Sequence, residues 1–356
     1  AHPVRTIGVT GSNGKTTVKN LLAAVLEQVA PTLATRGNYN NLIGVPLTLA
    51  RLNSEHRFAI VEMGTNTPGE IARLAEIARP DVAVVVGIAP AHLEGFGDVA
   101  GVAREKGALF AALPEQGLAV APADAPWFDE WQRTSRVKRW IGFGLDEPAE
   151  VRARDMETTI SGTHFSLVTP AGEAPVALQL LGRHNVINAL AAAALAWGLG
   201  VDTATIARGL AIVRPAAGRL APSALPSGAL LIDDTYNANP ASVVAAIDAA
   251  MAGGRPVWVA LGDLGELGAE ANAWHTRIGR EARAAGVHRL YTLGPFSRAA
   301  ARAYGEGAQA FEEVSDLVTA LASDLPASAV LVVKGSRAAR MERVVQALLS
   351  SVGEKR

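Results

Sequence analysis

Thr10-Gly11-Ser12-Asn13-Gly14-Lys15-Thr16-Thr17 lies between an apolar run, Ile7-Gly8-Val9, and a helical pattern that puts Val18, Leu21, Leu22, Val25 and Leu26 on one side. Strand, glycine loop and helix start, in that order, define a phosphate-binding loop. Gly11 and Gly14 let the backbone curl so that its N–H groups point at phosphate oxygens, where the helix N-terminus adds positive potential. Lys15 is placed to neutralise β- and γ-phosphates, and the Thr16 hydroxyl to hold Mg²⁺. Ser12, Asn13 and Thr17 complete the cradle. The usual pattern has a glycine five residues before Gly14, where this chain has Val9. The loop is therefore a shortened variant. A glycine-rich turn capping an ordinary helix is the plainer alternative, and the Gly-Lys-Thr-Thr ending weighs against it.

Composition narrows the rest. A chain of 356 residues exceeds what one core usually holds, so two domains are expected. The formal net charge of −1 argues against nucleic acid or an anionic membrane as main partner. Without a single cysteine there is no disulfide framework and no thiolate chemistry, which suits a cytoplasmic enzyme. The longest apolar stretch, Ala189 to Val201, is too short to cross a bilayer, so no stable membrane insertion is expected. No charged-then-apolar leader precedes the first strand, which argues against secretion. High Ala, Gly and Val with few aromatic residues reads as an α/β protein.

The first half alternates β-branched runs with helical periodicity. Ile7–Val9, Phe58–Met63 and Val82–Ile88 read as buried parallel strands, with Leu118–Val120 as another short one, and helices fall near Val18–Val29, Gly69–Ala78 and Val99–Leu113. From about Val151 to Val176 the pattern alternates with turns, as in an antiparallel appendage. Helices near Asn185–Leu199 and Thr203–Ile212 follow. Arg214-Pro215-Ala216-Ala217-Gly218 is the linker candidate, dividing residues 1–213 from 214–356. Beyond it, strands at Ala229–Ile232, Val257–Leu261, Arg289–Leu293 and Val330–Val333 alternate with helices near Ser242–Ala252, Trp274–Ala285 and Arg340–Leu349. The fold class is thus α/β: a phosphate-loop domain with a mostly parallel sheet, then a doubly wound Rossmann-like domain without such a loop.

Polar residues at strand ends carry the candidate chemistry, because open parallel sheets bind ligands beyond the carboxyl ends of their strands. Glu62 ends Phe58–Met63 and is placed to share a metal with Thr16; taken alone it also fits a solvated strand end. His92, in Ala89-Pro90-Ala91-His92-Leu93-Glu94, lies just past another strand, where a lone histidine is more often structural than metal-binding. Lys106 by itself is an ordinary helix lysine. Gly182-Arg183-His184-Asn185-Val186-Ile187-Asn188 either caps the following helix or faces a nucleotide. Arg219 follows the linker, where a basic residue can bridge phosphates. Asp233-Asp234-Thr235-Tyr236-Asn237-Ala238-Asn239-Pro240 and Lys334-Gly335-Ser336-Arg337 are polar runs closing apolar strands, and they suggest a second crevice.

Taken together, these residues resemble the Mur ligases, ATP-dependent amide-forming enzymes of peptidoglycan precursor synthesis, cell shape and cell division. The shortened Thr-Gly-x-x-Gly-Lys-Thr loop is shared across that family and with folylpolyglutamate synthases. Gly37 through Pro46, Asp233 through Pro240, Leu261 through Gly268 and Lys334 through Arg337 resemble the type that adds D-alanyl-D-alanine to UDP-N-acetylmuramoyl-tripeptide. The Tyr-Asn-Ala-Asn-Pro run separates that type from its sister ligases.

The resemblance implies roles. Gly11 to Thr17 would cradle ATP, with Lys15 catalytic and Thr16 and Glu62 on one Mg²⁺. His92 would hold a second Mg²⁺. Lys106 matches the lysine that CO₂ carbamylates into a metal-bridging carboxylate, which reverses its plain reading. Asn185, Arg219 and Asp234 would contact the nucleotide. Asn40 and Asn41 would lie toward the nucleotide-sugar peptide, and Asn237, Asn239, Lys334, Ser336 and Arg337 toward D-alanyl-D-alanine or the joint active site. The family often has Glu two residues after that lysine, where this chain has Ala108. Family members also carry an N-terminal domain that binds the uridine end of the substrate, and the chain reads as the central and C-terminal domains without it. Small-molecule substrates, a monomer and closure across the linker are expected. The competing readings are a folylpolyglutamate-like ligase and a nucleotide switch that hydrolyses ATP without an amino-acid substrate.

Overall fold

The computed structural model describes residues 4–90, 93–159 and 161–350, and these divide into two compact units. The first comprises residues up to 157, 163–179 and 184–213; the second comprises 158–162, 180–183 and 214 onward.

In the first unit, strands β1 (Arg5–Thr10), β2 (Thr32–Ala34), β3 (Phe58–Glu62), β4 (Val82–Val85), β5 (Leu118–Pro122) and β6 (Arg139–Phe143) form one sheet in the order β2-β3-β1-β4-β5-β6. Every pairing in it is parallel. Parallel sheets are covered on both faces, so their strands read as unbroken apolar runs, and β4 is buried throughout. The covering helices include α1 (Lys15–Leu26), α2 (Gly44–Leu49), α3 (Glu70–Ala78), α4 (Leu93–Phe96), α5 (Val99–Ala111) and α6 (Phe128–Thr134). One face packs Val61, Met63, Ile71, Leu74, Phe110 and Trp131 into a single cluster.

The sequence pattern extends the third run to Ile88, yet β4 stops at Val85. Beyond it the backbone turns its hydrogen bonds to the glycine loop: Val86 N–H donates to Thr10 O at 2.9 Å, and Ser12 N–H donates to Gly87 O at 2.9 Å. After β6 come three strands, β7 (Arg152–Thr159), β8 (Gly162–Thr169) and β9 (Gly172–Leu178), with β8 and β9 antiparallel as their alternation implies. Helix α7 (Arg183–Gly198) is apolar on all sides from Ala189 onward and is buried accordingly. It starts earlier than the sequence pattern indicates, so Asn185 lies within its first turn. Helix α8 (Thr203–Ala211) packs on β9 and on α1.

The second unit carries β10 (Ala221–Ala224), β11 (Leu230–Asp234), β12 (Val257–Gly262), β13 (Arg289–Leu293), β14 (Ala308–Phe311) and β15 (Val330–Lys334), in the order β10-β11-β15-β12-β13-β14. All pairings are parallel except β10 with β11. Helices α9 (Pro240–Met251), α10 (Ala271–Ala284), α11 (Arg298–Tyr304), α12 (Val314–Asp324) and α13 (Glu342–Ser350) flank it. The period of two is visible along β15: Val330 and Val332 enter one core cluster, Leu331 and Val333 the other. The last strand in sequence inserts between β11 and β12, which makes the carboxyl end of β15 the switch point of this sheet.

Close packing of α10 on α11 rests on Gly279, since a Cβ there would overlap the backbone carbonyl of Ala300. Gly279→Ala should therefore destabilise this unit. The helix-propensity gain of about 1 kcal/mol is outweighed by an overpacking cost of about 1–3 kcal/mol against a backbone that cannot rotate away. Urea denaturation would read a lowered midpoint, and a raised one would refute the account.

Candidate active site

The glycine loop leaves β1 at Thr10, whose hydroxyl donates to Met63 O at 2.9 Å, and enters α1 through Gly14. Gly14 has φ of 81°, a conformation that glycine adopts without steric cost. A Cβ there would also overlap Asn188 Oδ1, so the α7 side chain sits directly on the loop. Asn188 Nδ2 donates to Asn185 Oδ1 at 3.0 Å, which brings the predicted Asn185 to the same place. Ser12 clamps the other side: its hydroxyl donates to Ala89 O and accepts from Ala89 N–H, each at 3.0 Å. Lys15 Nζ donates to Gly11 O at 2.7 Å.

Parallel register places Glu62 opposite Val9, at the root of the loop. Glu62 is only 2% exposed, so the solvated strand-end alternative fails. Its Oε1 accepts the Thr16 hydroxyl at 3.2 Å and Asn40 Nδ2 at 2.9 Å, and its backbone N–H donates to Thr35 Oγ1 at 3.0 Å. Oε2 is buried without a hydrogen bond, with Lys19 Nζ 3.9 Å away. A hydroxyl beside a buried carboxylate oxygen that lacks a donor is a ligand set fitting a hard cation such as Mg²⁺. Among the described residues no cluster of three or more His, Cys, Asp or Glu suited to a metal assembles. His92 lies outside the described residues.

Lys106, on α5, is 2% exposed rather than solvated. Burial pulls its amine down to about 7, the Lys15 charge pushes the same way, and Glu105 opposes. Glu105 itself accepts Gly69 N–H at 2.7 Å and Ile71 N–H at 2.8 Å, which caps the start of α3. Asn41 turns the chain into α2, its Oδ1 accepting Gly44 N–H at 2.8 Å.

In the second unit, strand register sets Asp234 beside Lys334. Lys334 Nζ pairs with the Asp234 carboxylate and donates to Asn237 O at 3.0 Å. Asp234 Oδ1 also accepts Leu220 N–H at 3.2 Å, and the Arg219 guanidinium stacks 4.2 Å from the Tyr236 ring centroid. Asn239 caps α9 through a reciprocal box with Ser242. The Ser336 hydroxyl donates to Asp263 O at 2.6 Å, and Arg337 lies 3.4 Å from Glu342. His275 is fully buried, accepts Leu264 N–H at 3.1 Å, and is held below the usual histidine range by burial.

The structure thus gathers Lys15, Thr16, Glu62, Asn40 and Asn185 around the loop, and Asp234, Asn237 and Lys334 at the second sheet's switch point. Sequence reading placed Asn188 only within the polar run from Gly182, and missed Lys19, Thr35, Glu105 and His275. Of these, only Lys19 carries a local signal, being one turn beyond Lys15 on the same helix face.

Comparison with known proteins follows the same division. Residues 9–196 match the Mur ligase middle domain, and residues 218–337 match the domain described as Mur ligase, glutamate ligase domain. The chain belongs to the Mur ligase family. Mur ligases are ATP-dependent ligases that form peptide bonds, and this chain is an enzyme of that class in peptidoglycan synthesis. It is 44% identical over 351 residues to the UDP-N-acetylmuramoyl-tripeptide–D-alanyl-D-alanine ligase of Escherichia coli K12, covering 97% of this chain and 77% of that protein. The ligase of that name from Bacillus subtilis is 32% identical, with 98% and 76% covered. Among solved structures, MurF from Acinetobacter baumannii superposes with a TM-score of 0.92 at 35% identity, over 98% of this chain and 77% of that one. The MurF ligase of Thermotoga maritima, solved in complex with ADP, gives 0.89 at 26% identity, over 98% and 80%.

The depressed amine of Lys106 has a measurable consequence for this Mur ligase chain. With a folded value near 7 and an unfolded value near 10.5, the unfolded state holds more protons between those limits, so the cost of burying the charge is full below pH 7 and fades as pH rises toward 10.5. Lys106→Met should accordingly raise the urea midpoint at pH 6.5 by more than at pH 9.5. Equal gains at both pH values would contradict the assigned shift.

Proposed function

We propose that this chain joins D-alanyl-D-alanine to UDP-N-acetylmuramoyl-tripeptide through an acyl phosphate. The observation supporting it is the glycine loop with Thr16 and Glu62 bonded to each other beside Lys15, in a chain 44% identical to the E. coli enzyme of that name. A peptide carboxylate oxygen is a poor leaving group, so the ligation has to activate it first. A carboxylate oxygen attacks the γ-phosphorus in line; the new O–P bond forms as the β,γ-bridging O–P bond breaks, giving acyl phosphate and ADP. The amine of D-alanyl-D-alanine then attacks the acyl carbon, and inorganic phosphate leaves as the nitrogen loses its proton. Lys15 stabilises the charge on the transferring group, and the loop N–H groups hold the remaining phosphates in place.

Thr16 and Glu62 would hold one Mg²⁺, with His92 assigned to a second; bound there, Mg²⁺ supplies charge neutralisation to the phosphates. Lys106 is assigned as a carbamate. Its amine, brought to about 7 by burial, is substantially neutral near pH 7. A neutral amine adds to the carbon of CO₂ and loses a proton, leaving a carboxylate on the lysine. The nucleotide roles of Asn185, Arg219 and Asp234, and the substrate roles of Asn40, Asn41, Asn237, Asn239, Lys334, Ser336 and Arg337, belong to the same proposal. So do the assignments of residues 1–213 to ATP and 214–356 to the amine substrate, cytoplasmic placement and a monomeric state. Among the described residues no helix is long and apolar enough to cross a membrane.

Phosphate release from ATP should require both the UDP-linked tripeptide and D-alanyl-D-alanine; release without the dipeptide would point to an ATPase switch instead. Lys106→Ala should abolish ligation, with partial recovery on adding short carboxylic acids that restore a carboxylate to the cavity. Full activity of that variant without additives would remove the carbamate.

A further inference from the structure

Helix α1 carries Lys15 and Thr16 in its first turn and Lys19 one turn on, four residues after the first and three after the second. The first two belong to the loop, and nothing in the proposed ligation uses the third. Lys19 is nonetheless 4% exposed, which is unusual for a lysine without a specific partner. Its ammonium donates to Thr35 O at 2.8 Å and stands 3.9 Å from Glu62 Oε2. Thr35 closes a ring, because its hydroxyl accepts the Glu62 backbone N–H at 3.0 Å. Thr16 holds the other carboxylate oxygen. Residues at i and i+3 of one helix therefore flank a single buried carboxylate, Thr16 hydrogen-bonded to Oε1 and the Lys19 ammonium beside Oε2. The segment Thr35 to Asn40, anchored at Thr35 by Lys19, also returns Asn40 to Oε1.

We propose that Lys19 is a positioning residue for Glu62. Its ammonium supplies the counter-charge in a place closed to water and fixes the carboxylate so that Oε2 stands ready for a divalent cation accompanying the nucleotide. The proposal rests on the reading of Thr16 and Glu62 as the Mg²⁺ ligands. Two effects oppose each other here. The ammonium repels an incoming cation, but without it a buried carboxylate has no fixed charge beside it, and burying an unpaired charge is costly. At 3.9 Å the contact is too long for a hydrogen bond, and the ammonium is held by the Thr35 carbonyl, so positioning outweighs repulsion.

Lys19→Met keeps the length of the side chain and removes its charge, and a urea midpoint of the variant verifies that it is folded under the assay conditions. ADP binding to the 356-residue chain, followed by calorimetry across a Mg²⁺ titration, reads the effect without turnover. The Mg²⁺ concentration for half-maximal enhancement should rise about tenfold, while ADP affinity in EDTA changes less than twofold. In a Glu62→Gln background Lys19→Met should add nothing, because the residue acts through that carboxylate. An equal loss of ADP affinity with and without Mg²⁺ would reduce Lys19 to packing. An unchanged or lowered Mg²⁺ requirement, or additive effects in the double variant, would also overturn the proposal. Wild-type chain that binds ADP with no Mg²⁺ dependence would instead overturn the ligand assignment of Thr16 and Glu62.

Discussion

A carboxylate that water cannot reach must find its donors within the protein, and around Glu62 that requirement organises the first unit. One oxygen takes the Thr16 hydroxyl from α1 and the Asn40 amide from the segment after β2. The other faces the Lys19 ammonium. The backbone N–H of the same residue is taken by Thr35. Helix, strand and connecting segment are thereby tied to one side chain at the root of the glycine loop. The loop is in turn pinned from outside, by Asn188 against Gly14 and by the Ser12–Ala89 pair. A phosphate cradle held on both sides loses little conformational freedom when a nucleotide binds.

The second unit solves a related problem differently. Its sheet inserts the last strand between two earlier ones, so three strand ends converge at the carboxyl edge. Lys334, at the end of β15, ties itself to the end of β11 by pairing with Asp234 and donating to Asn237 O. A cation buried so fully cannot also serve as a freely exposed anchor, and its bonds to Asp234 and Asn237 give these polar residues a framework. Asn239 is likewise engaged as a helix cap. Ser336 and the loop after β12 are joined through Asp263, while His275 supports that loop from beneath as a neutral acceptor. The buried amine of Lys106 is the opposite case: no carboxylate fully offsets its burial, and desolvation brings it down to about 7.

Much of this was legible in the chain. Contiguous residues from Thr10 to Thr17 encode their own conformation, because strand, glycines and helix start are local properties. The long buried strands were legible as apolar runs, and the elements overlooked were short or weakly periodic, such as β2, α2, α6 and β14. The over-extension of the third strand to Ile88 has a definite cause: Val86 is buried against the glycine loop and Ile88 packs partly on the sheet-face cluster, and periodicity does not distinguish either from sheet pairing. The place of Glu62 beside the loop was legible from its position at a strand end. The burial of Lys106 was not, since a lysine inside a helical pattern looks solvated until its neighbours are known, and only the family resemblance made it a candidate.

By itself, then, the sequence determined the phosphate loop, the α/β alternation in two regions and the family to which the motifs belong, all of which depend on residues adjacent in the chain. Only the tertiary structure decided that Glu62 is buried, that Lys19 and Asn40 meet it, that Asn188 presses on Gly14 and that the Lys106 amine is driven toward neutrality. Each of those follows from desolvation and from contacts between residues distant in sequence, and no local pattern encodes either.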